Sequence, residues 1–203
     1  MAMLDAILCP EWESRYYSFD ARWAPGEELA SMRNGSGDVY SIVFSAAGAF
    51  IRGFDHESPM SPFASGRNRV WPGVVDSVPG VFADYLAEPA FSVEGILEAT
   101  VCLWRQTEDD RWHVGVIDFP AGADPDGALG LFGVLMDGSP EAYRRFAEEY
   151  YEQAIDSDAV AQVYQLRPLT EELLHRLNRD VSLADLEEDV TAIAYPSGAL
   201  PPA

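Results

Sequence analysis

The clearest strand-like pattern of apolar residues lies between residues 39 and 54, in the sequence VYSIVFSAAGAFIRGF. Two runs rich in β-branched and aromatic residues flank a turn of small residues at Ala46–Gly48. Successive side chains on a strand point to opposite faces, so runs of this kind are typical of strands in a sheet. The pattern predicts a β-hairpin over Val39–Phe54.

A second pair of strand-like segments lies at residues 100–105 (TVCLWR) and 111–119 (RWHVGVIDF), separated by the polar turn QTEDD. In the return segment Trp112, Val114 and Val116 fall at every second position and therefore share one face. The arrangement predicts a second β-hairpin.

Three segments outside the hairpins carry helical or ambiguous patterns. Residues 24–33 (APGEELASMR) place a proline and two acidic residues where the first turn of a short helix would lie. Residues 77–89 (SVPGVFADYLAEP) have apolar residues at helical spacing between a capping serine and a terminating proline. Residues 128–136 (ALGLFGVLM) are apolar throughout and fit either a buried strand or a buried helix.

The pattern becomes helical from Ser139, which is a candidate N-cap followed by proline. We expect further helices over residues 158–166, from Thr170 and from Ser182, where polar caps precede apolar residues at helical spacing. Residues 190–196 (VTAIAYP) fit a final strand. The last seven residues, SGALPPA, fit a frayed tail.

The order of these elements predicts an α+β fold. It consists of an antiparallel sheet built from hairpins, with helices packed on one side and a mainly helical C-terminal half. A chain of 203 residues suits one domain of this kind. We therefore expect a single domain over residues 1–203, with a subdivision near residues 120–127 (PAGADPDG) as the alternative.

The charge of the chain restricts its partners. Thirty-four acidic residues face 13 cationic ones, which gives a net charge of −21 that is spread over both halves of the chain. Such a field repels nucleic acid and anionic membranes, and it speeds encounter with basic proteins. Acidity also serves solubility alone, and that alternative stays open. Every cation is arginine, which indicates a GC-rich genome and a bacterial source.

Cysteine usage and hydropathy indicate a cytoplasmic protein. Cys9 and Cys102 are too few for a disulfide framework and suit a reducing compartment. The first residues lack the basic start and long apolar core of a signal peptide, and no apolar run is long enough to span a membrane. We expect no membrane partner, and the sequence indicates no cofactor.

The run GFDHESPM places Asp55, His56, Glu57 and Ser58 side by side, and it is the chemically densest stretch of the chain. A metal site needs several ligands that converge on one point, whereas consecutive strand residues alternate between faces. Ser58 lacks the G-x-S-x-G context of an activated nucleophile. The residues therefore favour a structural loop, in which these polar side chains bind nearby backbone groups.

The order of short motifs between residues 34 and 87 resembles the SUKH superfamily, which includes bacterial toxin-immunity proteins. Gly37-Asp38 precedes an apolar strand, then come Gly48, a second strand, the run Phe54 to Glu57, and VFADYL (residues 81–86). The usual N-terminal helix with a Leu-Pro pair is absent from the sequence, and residues 100–203 show no counterpart. The resemblance implies a non-enzymatic binder that neutralises a protein toxin by occlusion.

Two hypotheses therefore follow from the sequence. The first is an acidic, immunity-like interaction protein with a basic protein partner and no catalytic, cofactor or metal site. Its candidate binding residues are Asp55, His56, Glu57, Glu108, Asp109 and Asp110, and the acids between Glu148 and Glu152 form a further cluster.

The second hypothesis is a small hydrolase or metal-dependent enzyme that uses the Asp55-His56-Glu57 loop. It expects His56 to meet a carboxylate from elsewhere, such as Asp38 or Asp118, and to have a perturbed pKa.

Overall fold

The computed structural model describes residues 1–196, and within them it contains seven α-helices and eight β-strands. The helices are α1 (Ala2–Leu8), α2 (Ala83–Leu86), α3 (Ala128–Asp137), α4 (Pro140–Tyr150), α5 (Ser157–Tyr164), α6 (Glu171–Leu177) and α7 (Glu187–Ile193). The strands are β1 (Tyr17–Ala24), β2 (Glu27–Arg33), β3 (Val39–Ser45), β4 (Gly48–Phe54), β5 (Ser92–Val93), β6 (Ile96–Leu97), β7 (Val101–Gln106) and β8 (His113–Val114). The expected tail SGALPPA lies outside the described residues.

Six strands form one antiparallel sheet in the order β1-β2-β3-β4-β7-β8, and β5 pairs with β6 in a separate ribbon. The hairpin predicted over Val39–Phe54 is present as β3 and β4. The second predicted hairpin is present only in part, because the return strand expected over residues 111–119 is limited to β8, His113–Val114. The α+β class, the antiparallel sheet and the C-terminal helices expected from the sequence are thus confirmed. None of the described helices is both long and apolar enough to cross a membrane.

Two compact units make up the chain. The sheet unit comprises residues 22–133, and the helical unit comprises residues 1–21 and 134–203. The second boundary follows residue 133 and lies inside α3, C-terminal to the loop at residues 120–127.

The core of the sheet unit has a large aromatic component. Phe50 of β4 stands opposite Val43 of β3 and Trp104 of β7, and all three side chains are buried. Phe82 and Tyr85 pack on Phe50 with ring centroids 6.0 and 5.4 Å away. Burial of these large side chains supplies the main stabilising contribution of this unit.

The other face of β4 contacts α3. Gly53 lies so close to Leu131 and Phe132 that a Cβ atom would be 3.0 and 3.1 Å from their side chains. The ring of Phe132 also packs on Tyr40, with centroids 5.2 Å apart. The ambiguous apolar segment at residues 128–136 is therefore helical, and it buries Leu131 and Phe132.

The helical unit is held together by buried polar contacts as well as by its apolar core. Asp5 of α1 is fully buried and accepts hydrogen bonds from the backbone N–H groups of Tyr16 and Tyr17 and from the hydroxyl of Tyr143. The buried guanidinium of Arg15 forms an ion pair with Asp189 of α7. These contacts connect α1 and the start of β1 to α4 and α7.

Several local predictions are wrong in whole or in part. The helix expected over residues 77–89 is reduced to a 3₁₀ turn at Gly80–Phe82 and the short α2, and the helix expected from Ser182 begins only at Glu187, after a turn. Residues 24–33 form the end of β1, a turn and β2 rather than a helix, because Pro25 and Gly26 suit a tight turn in which Gly26 has a φ of +80°. Residues 190–196 form no strand; α7 continues to Ile193, and Ala194 ends it in the left-handed conformation. The apolar pattern of so short a segment fitted either structure.

Candidate functional site

The register of β3 and β4 places the polar loop of GFDHESPM beside the loop between β2 and β3. Val39 is the cross-strand partner of Phe54. Asp38 directly precedes Val39, and Asp55 directly follows Phe54, so the two aspartates leave the same end of the hairpin. Antiparallel pairing therefore brings together residues that are 17 positions apart in the sequence.

Asp38 and His56 form the central contact at this end of the sheet. The Asp38 Oδ1 atom accepts a hydrogen bond from the backbone N–H of His56 at 3.0 Å and lies 2.7 Å from the ring Nδ1. The Oδ2 atom accepts a hydrogen bond from the Asn34 side-chain amide at 2.6 Å. Gly37 has a φ of +119° and approaches the His56 ring so closely that a Cβ atom would lie 3.2 Å from it.

These contacts shift both ionisable groups toward their charged forms. The hydrogen bond to Asp38 raises the pKa of His56 above its ordinary value. Burial acts to raise the pKa of Asp38, but the hydrogen bonds from His56 and Asn34 outweigh it and hold that pKa below its ordinary value. The pair is therefore an ion pair over a wider pH range than two isolated side chains would be.

Asp55 is fixed by the backbone around it. Its Oδ1 atom accepts hydrogen bonds from the N–H groups of Glu57 at 2.8 Å and Ser58 at 3.0 Å, and its own N–H donates to the Thr100 hydroxyl at 3.1 Å. Its carboxyl group lies against Gly127, where a Cβ atom would overlap it. The conformation of this loop therefore depends on hydrogen bonds within the loop and on contacts with Thr100 and Gly127, which are distant in sequence.

Ser58 has a structural role in this loop. Its side chain is buried, donates a hydrogen bond to the Pro125 carbonyl at 2.7 Å and accepts one from the Met60 N–H at 2.9 Å. These bonds occupy the hydroxyl with backbone groups, as the structural interpretation of the sequence expected.

The donor atoms that converge belong to Asp38, Asp55 and His56, and they lie within 4.8 Å of one another. Asp38 is thus the distant carboxylate that meets His56. The other candidate carboxylate, Asp118, belongs to a different set of contacts, in which its backbone carbonyl accepts a hydrogen bond from the Trp71 indole N–H. Glu57 is exposed, and its backbone rather than its carboxylate takes part in the loop.

The second group of predicted binding residues, Glu108, Asp109 and Asp110, lies at the opposite end of the sheet. They form the turn between β7 and β8, beyond Gln106, which pairs with Gly48 at the start of β4. The length of β4 separates this turn from Asp55 by about 20 Å. The six predicted binding residues therefore form two separate groups.

Asp109 stabilises its turn. Its carboxylate accepts a hydrogen bond from the Gln106 N–H at 2.8 Å and lies 3.4 Å from the His113 ring. Glu108 and Asp110 on either side are exposed. The turn therefore presents these two acids on a fixed backbone.

An apolar stripe lies next to this turn: Val114 belongs to β8, and Trp112 and Val116 lie in the irregular segments on either side of that short strand. Trp112, Val114 and Val116, which the sequence places on one face, have exposed fractions of 44, 58 and 91%. Val114 stands opposite Leu103 of β7. Single exposed apolar residues are ordinary, whereas three at alternate positions of one short segment form a candidate interaction surface.

Comparison with known proteins gives no relative: no protein-family model, no curated protein and no solved structure matches the chain. The resemblance to the SUKH superfamily therefore stays a prediction from the motifs in residues 34–87.

Proposed function

We propose that the protein is a non-enzymatic, immunity-like interaction protein of the bacterial cytoplasm, which neutralises a basic protein toxin by occlusion. The observation that carries the proposal is the apolar stripe of Trp112, Val114 and Val116 beside the acidic turn at Glu108–Asp110. Exposed aromatic and aliphatic anchors beside charged residues are the arrangement that protein interfaces use.

The net charge of the chain supports a basic partner, although the charge around the stripe is mixed: Arg111 precedes Trp112, and Arg67 and Arg69 line a cavity together with Val116 and Asp118. Glu108 and Asp110 border the stripe on one side, and the exposed Asp118 follows it on the other. The net charge of −21 adds a long-range attraction for cationic proteins. Electrostatic attraction speeds the encounter, and burial of the stripe then slows dissociation.

The toxin as partner comes from the SUKH resemblance. The two motifs that carry it, Gly37-Asp38 and Asp55-His56-Glu57, lie together at one end of β3 and β4 and are joined by the Asp38–His56 contact. A role in holding the loop accounts for these residues without catalysis. Nuclease toxins bind nucleic acid through basic surfaces, and an acidic protein is suited to covering such a surface.

The test begins with an affinity pull-down from the native host, washed at low and then at rising salt. We expect a basic protein that elutes as the salt concentration rises, because screening weakens the charged contacts. The purified partner is then titrated with wild-type protein and with the variants Val116→Arg and Val93→Arg. Val93 is a matched control, since it is an exposed valine (47%) on β5.

The two variants distinguish the proposed surface from general acidity. Val116→Arg should weaken binding by about tenfold or more, because it removes an apolar anchor and adds repulsion toward a basic partner. Val93→Arg changes the net charge equally and should leave the affinity within about twofold. Equal losses in both variants, or binding that is insensitive to salt, would contradict the proposal.

The Asp38–Asp55–His56 group favours a second candidate function, the metal-dependent enzyme. The sequence suggested Asp55, His56 and Glu57 for that enzyme, and in the structure Asp38 takes the place of Glu57 in the group. His56→Ala separates the two functions. It should leave the partner affinity unchanged if the protein is a binder, whereas an enzyme that uses this loop would lose its activity.

A further inference from the structure

We infer that Asp38, Asp55 and His56 form a binding site for a divalent transition-metal ion of the zinc class. The inference does not depend on the proposed binding function, whose surface lies at the other end of the sheet unit; it uses the same three residues as the second candidate function but requires no catalysis.

The donor atoms are close to the spacing that a metal ion needs. They lie within 4.8 Å of one another, and the Asp38 Oδ1 and His56 Nδ1 atoms are 2.7 Å apart. Ligand atoms at about 2.1 Å from a tetrahedral zinc ion are about 3.4 Å apart. An ion therefore needs the Asp38–His56 hydrogen bond to open by about 0.7 Å, and the wider spacings to close by up to about 1.4 Å, among side chains that are exposed or half-buried.

The carboxylates are oriented by the groups that also hydrogen-bond to them. Asn34 holds one Asp38 oxygen at 2.6 Å, and the N–H groups of Glu57 and Ser58 hold Asp55 Oδ1. Each carboxylate oxygen has two lone pairs. Both Oδ1 atoms already have two hydrogen-bonding contacts, so the capacity for an ion lies on the Oδ2 atoms, of which Asp38 Oδ2 accepts one bond from Asn34. Hydrogen bonds to the ligands are the means by which proteins orient metal ligands.

The donor set selects the class of ion. An imidazole nitrogen with two carboxylate oxygens suits Zn²⁺ and its transition-metal neighbours, whereas Mg²⁺ and Ca²⁺ prefer oxygen ligands alone. Two carboxylates balance the charge of a divalent ion. A fourth position remains for water, as in zinc sites with three protein ligands.

The other two histidines of the chain, His113 and His175, provide matched controls. His113 lies 3.4 Å from Asp109, and His175 lies 3.9 Å from Glu171. Each of these two pairs with one carboxylate four positions away, whereas His56 lies in a group with two. If an exposed histidine beside one acid sufficed for zinc binding, all three positions would contribute.

The experiment is calorimetric titration of the full chain with ZnCl₂, with MgCl₂ as the control ion. We expect one saturable zinc site that excess Mg²⁺ does not occupy. His56→Ala and Asp38→Asn should each weaken it by about tenfold or more, while His113→Ala and His175→Ala leave it unchanged. Circular dichroism checks that each variant is folded.

Histidine ring NMR signals in the wild-type protein provide a second measurement that needs no substitution. Zinc at one equivalent should shift the His56 ring signals and leave those of His113 in place. The inference is overturned by the absence of saturable zinc binding, by a site that persists in His56→Ala, or by equal shifts at His56 and His113.

Discussion

The buried carboxylate of Asp5 gives the sharpest prediction about stability. It is fully buried in the helical unit and accepts three hydrogen bonds, from Tyr16 N at 3.0 Å, Tyr17 N at 2.6 Å and Tyr143 Oη at 2.5 Å. Asp5→Ala removes the common acceptor and leaves these three donors without it. We expect the helical unit to lose much of its stability.

The magnitude follows from opposing contributions. A hydrogen bond to a charged group contributes about 1.5–3 kcal/mol, so three of them set an upper limit of about 9 kcal/mol. Removing the carboxylate also removes the cost of its desolvation. In the wild-type protein that cost outweighs the hydrogen bonds and raises the pKa of Asp5. The balance gives an expected loss of about 3–5 kcal/mol, because each of the three neutral donors left unpaired costs about 1–3 kcal/mol and the relieved desolvation offsets part of that sum.

Urea unfolding followed by circular dichroism measures this loss. Tyr143→Phe removes one donor and should cost about 1.5–3 kcal/mol. The double variant should then show a coupling energy of about 1–3 kcal/mol between the two positions. Glu149→Ala, an exposed acid on α4, is the control and should stay within about 0.5 kcal/mol of wild type. A loss below about 1 kcal/mol in Asp5→Ala, or no coupling, would refute the reasoning.

The pH dependence of the same group has a definite sign. Burial raises the pKa of folded Asp5 above its ordinary value of 3.8. The relative contribution of Asp5 to stability is therefore greatest below pH 3.8. It falls as the pH rises from there through the folded pKa. The unfolding free energy of wild type minus that of Asp5→Asn should therefore decrease as the pH rises over this range. Taking the difference cancels the other carboxylates, and a flat difference would contradict the assigned direction.

Two further predictions concern the sheet unit and the cysteines. Gly127→Ala should reduce the free energy of unfolding by at least about 2 kcal/mol, because the added Cβ would overlap Asp55 and because a φ of +77° is strained for alanine. Gly95 has nearly the same φ, +78°, but open space around it, so Gly95→Ala should cost about 1 kcal/mol. Equal losses in urea unfolding would contradict the overlap. Burial raises the pKa of Cys102 to about 12, so a thiol reagent should modify Cys9 in the native protein and Cys102 only after unfolding. Two thiols that react at one rate would show that β7 opens readily.

The sequence predicts the hairpins well because their signals are local. The β-branched and aromatic residues of β3 and β4 and the small residues at Ala46–Gly48 act within a few positions, and the register follows from the turn. The segment at residues 24–33 is misleading for the same reason. Its acids and proline suit a helix start, yet the Pro25–Gly26 turn and pairing of β2 with β3 outweigh that preference.

The candidate site shows where local signals stop. The sequence marks Asp55 and His56 by their density, and Asp38 enters only as one of two distant carboxylates. The contact of Asp38 with His56 follows once Val39 is paired with Phe54, so a strand register is the missing information. The supporting roles of Thr100 and Gly127 depend on segments far along the chain, and no motif indicates them.

The two candidate surfaces of the sheet unit are physically independent. The length of β4 places the Asp38–His56 contact and the Glu108–Asp110 turn about 20 Å apart, beyond the range at which substitutions usually couple. Zinc binding at one end and partner binding at the other should therefore respond to separate variants. If His56→Ala weakened the partner complex as strongly as Val116→Arg does, the partner would have to cover the whole strand, and the apolar stripe would be only part of the interface.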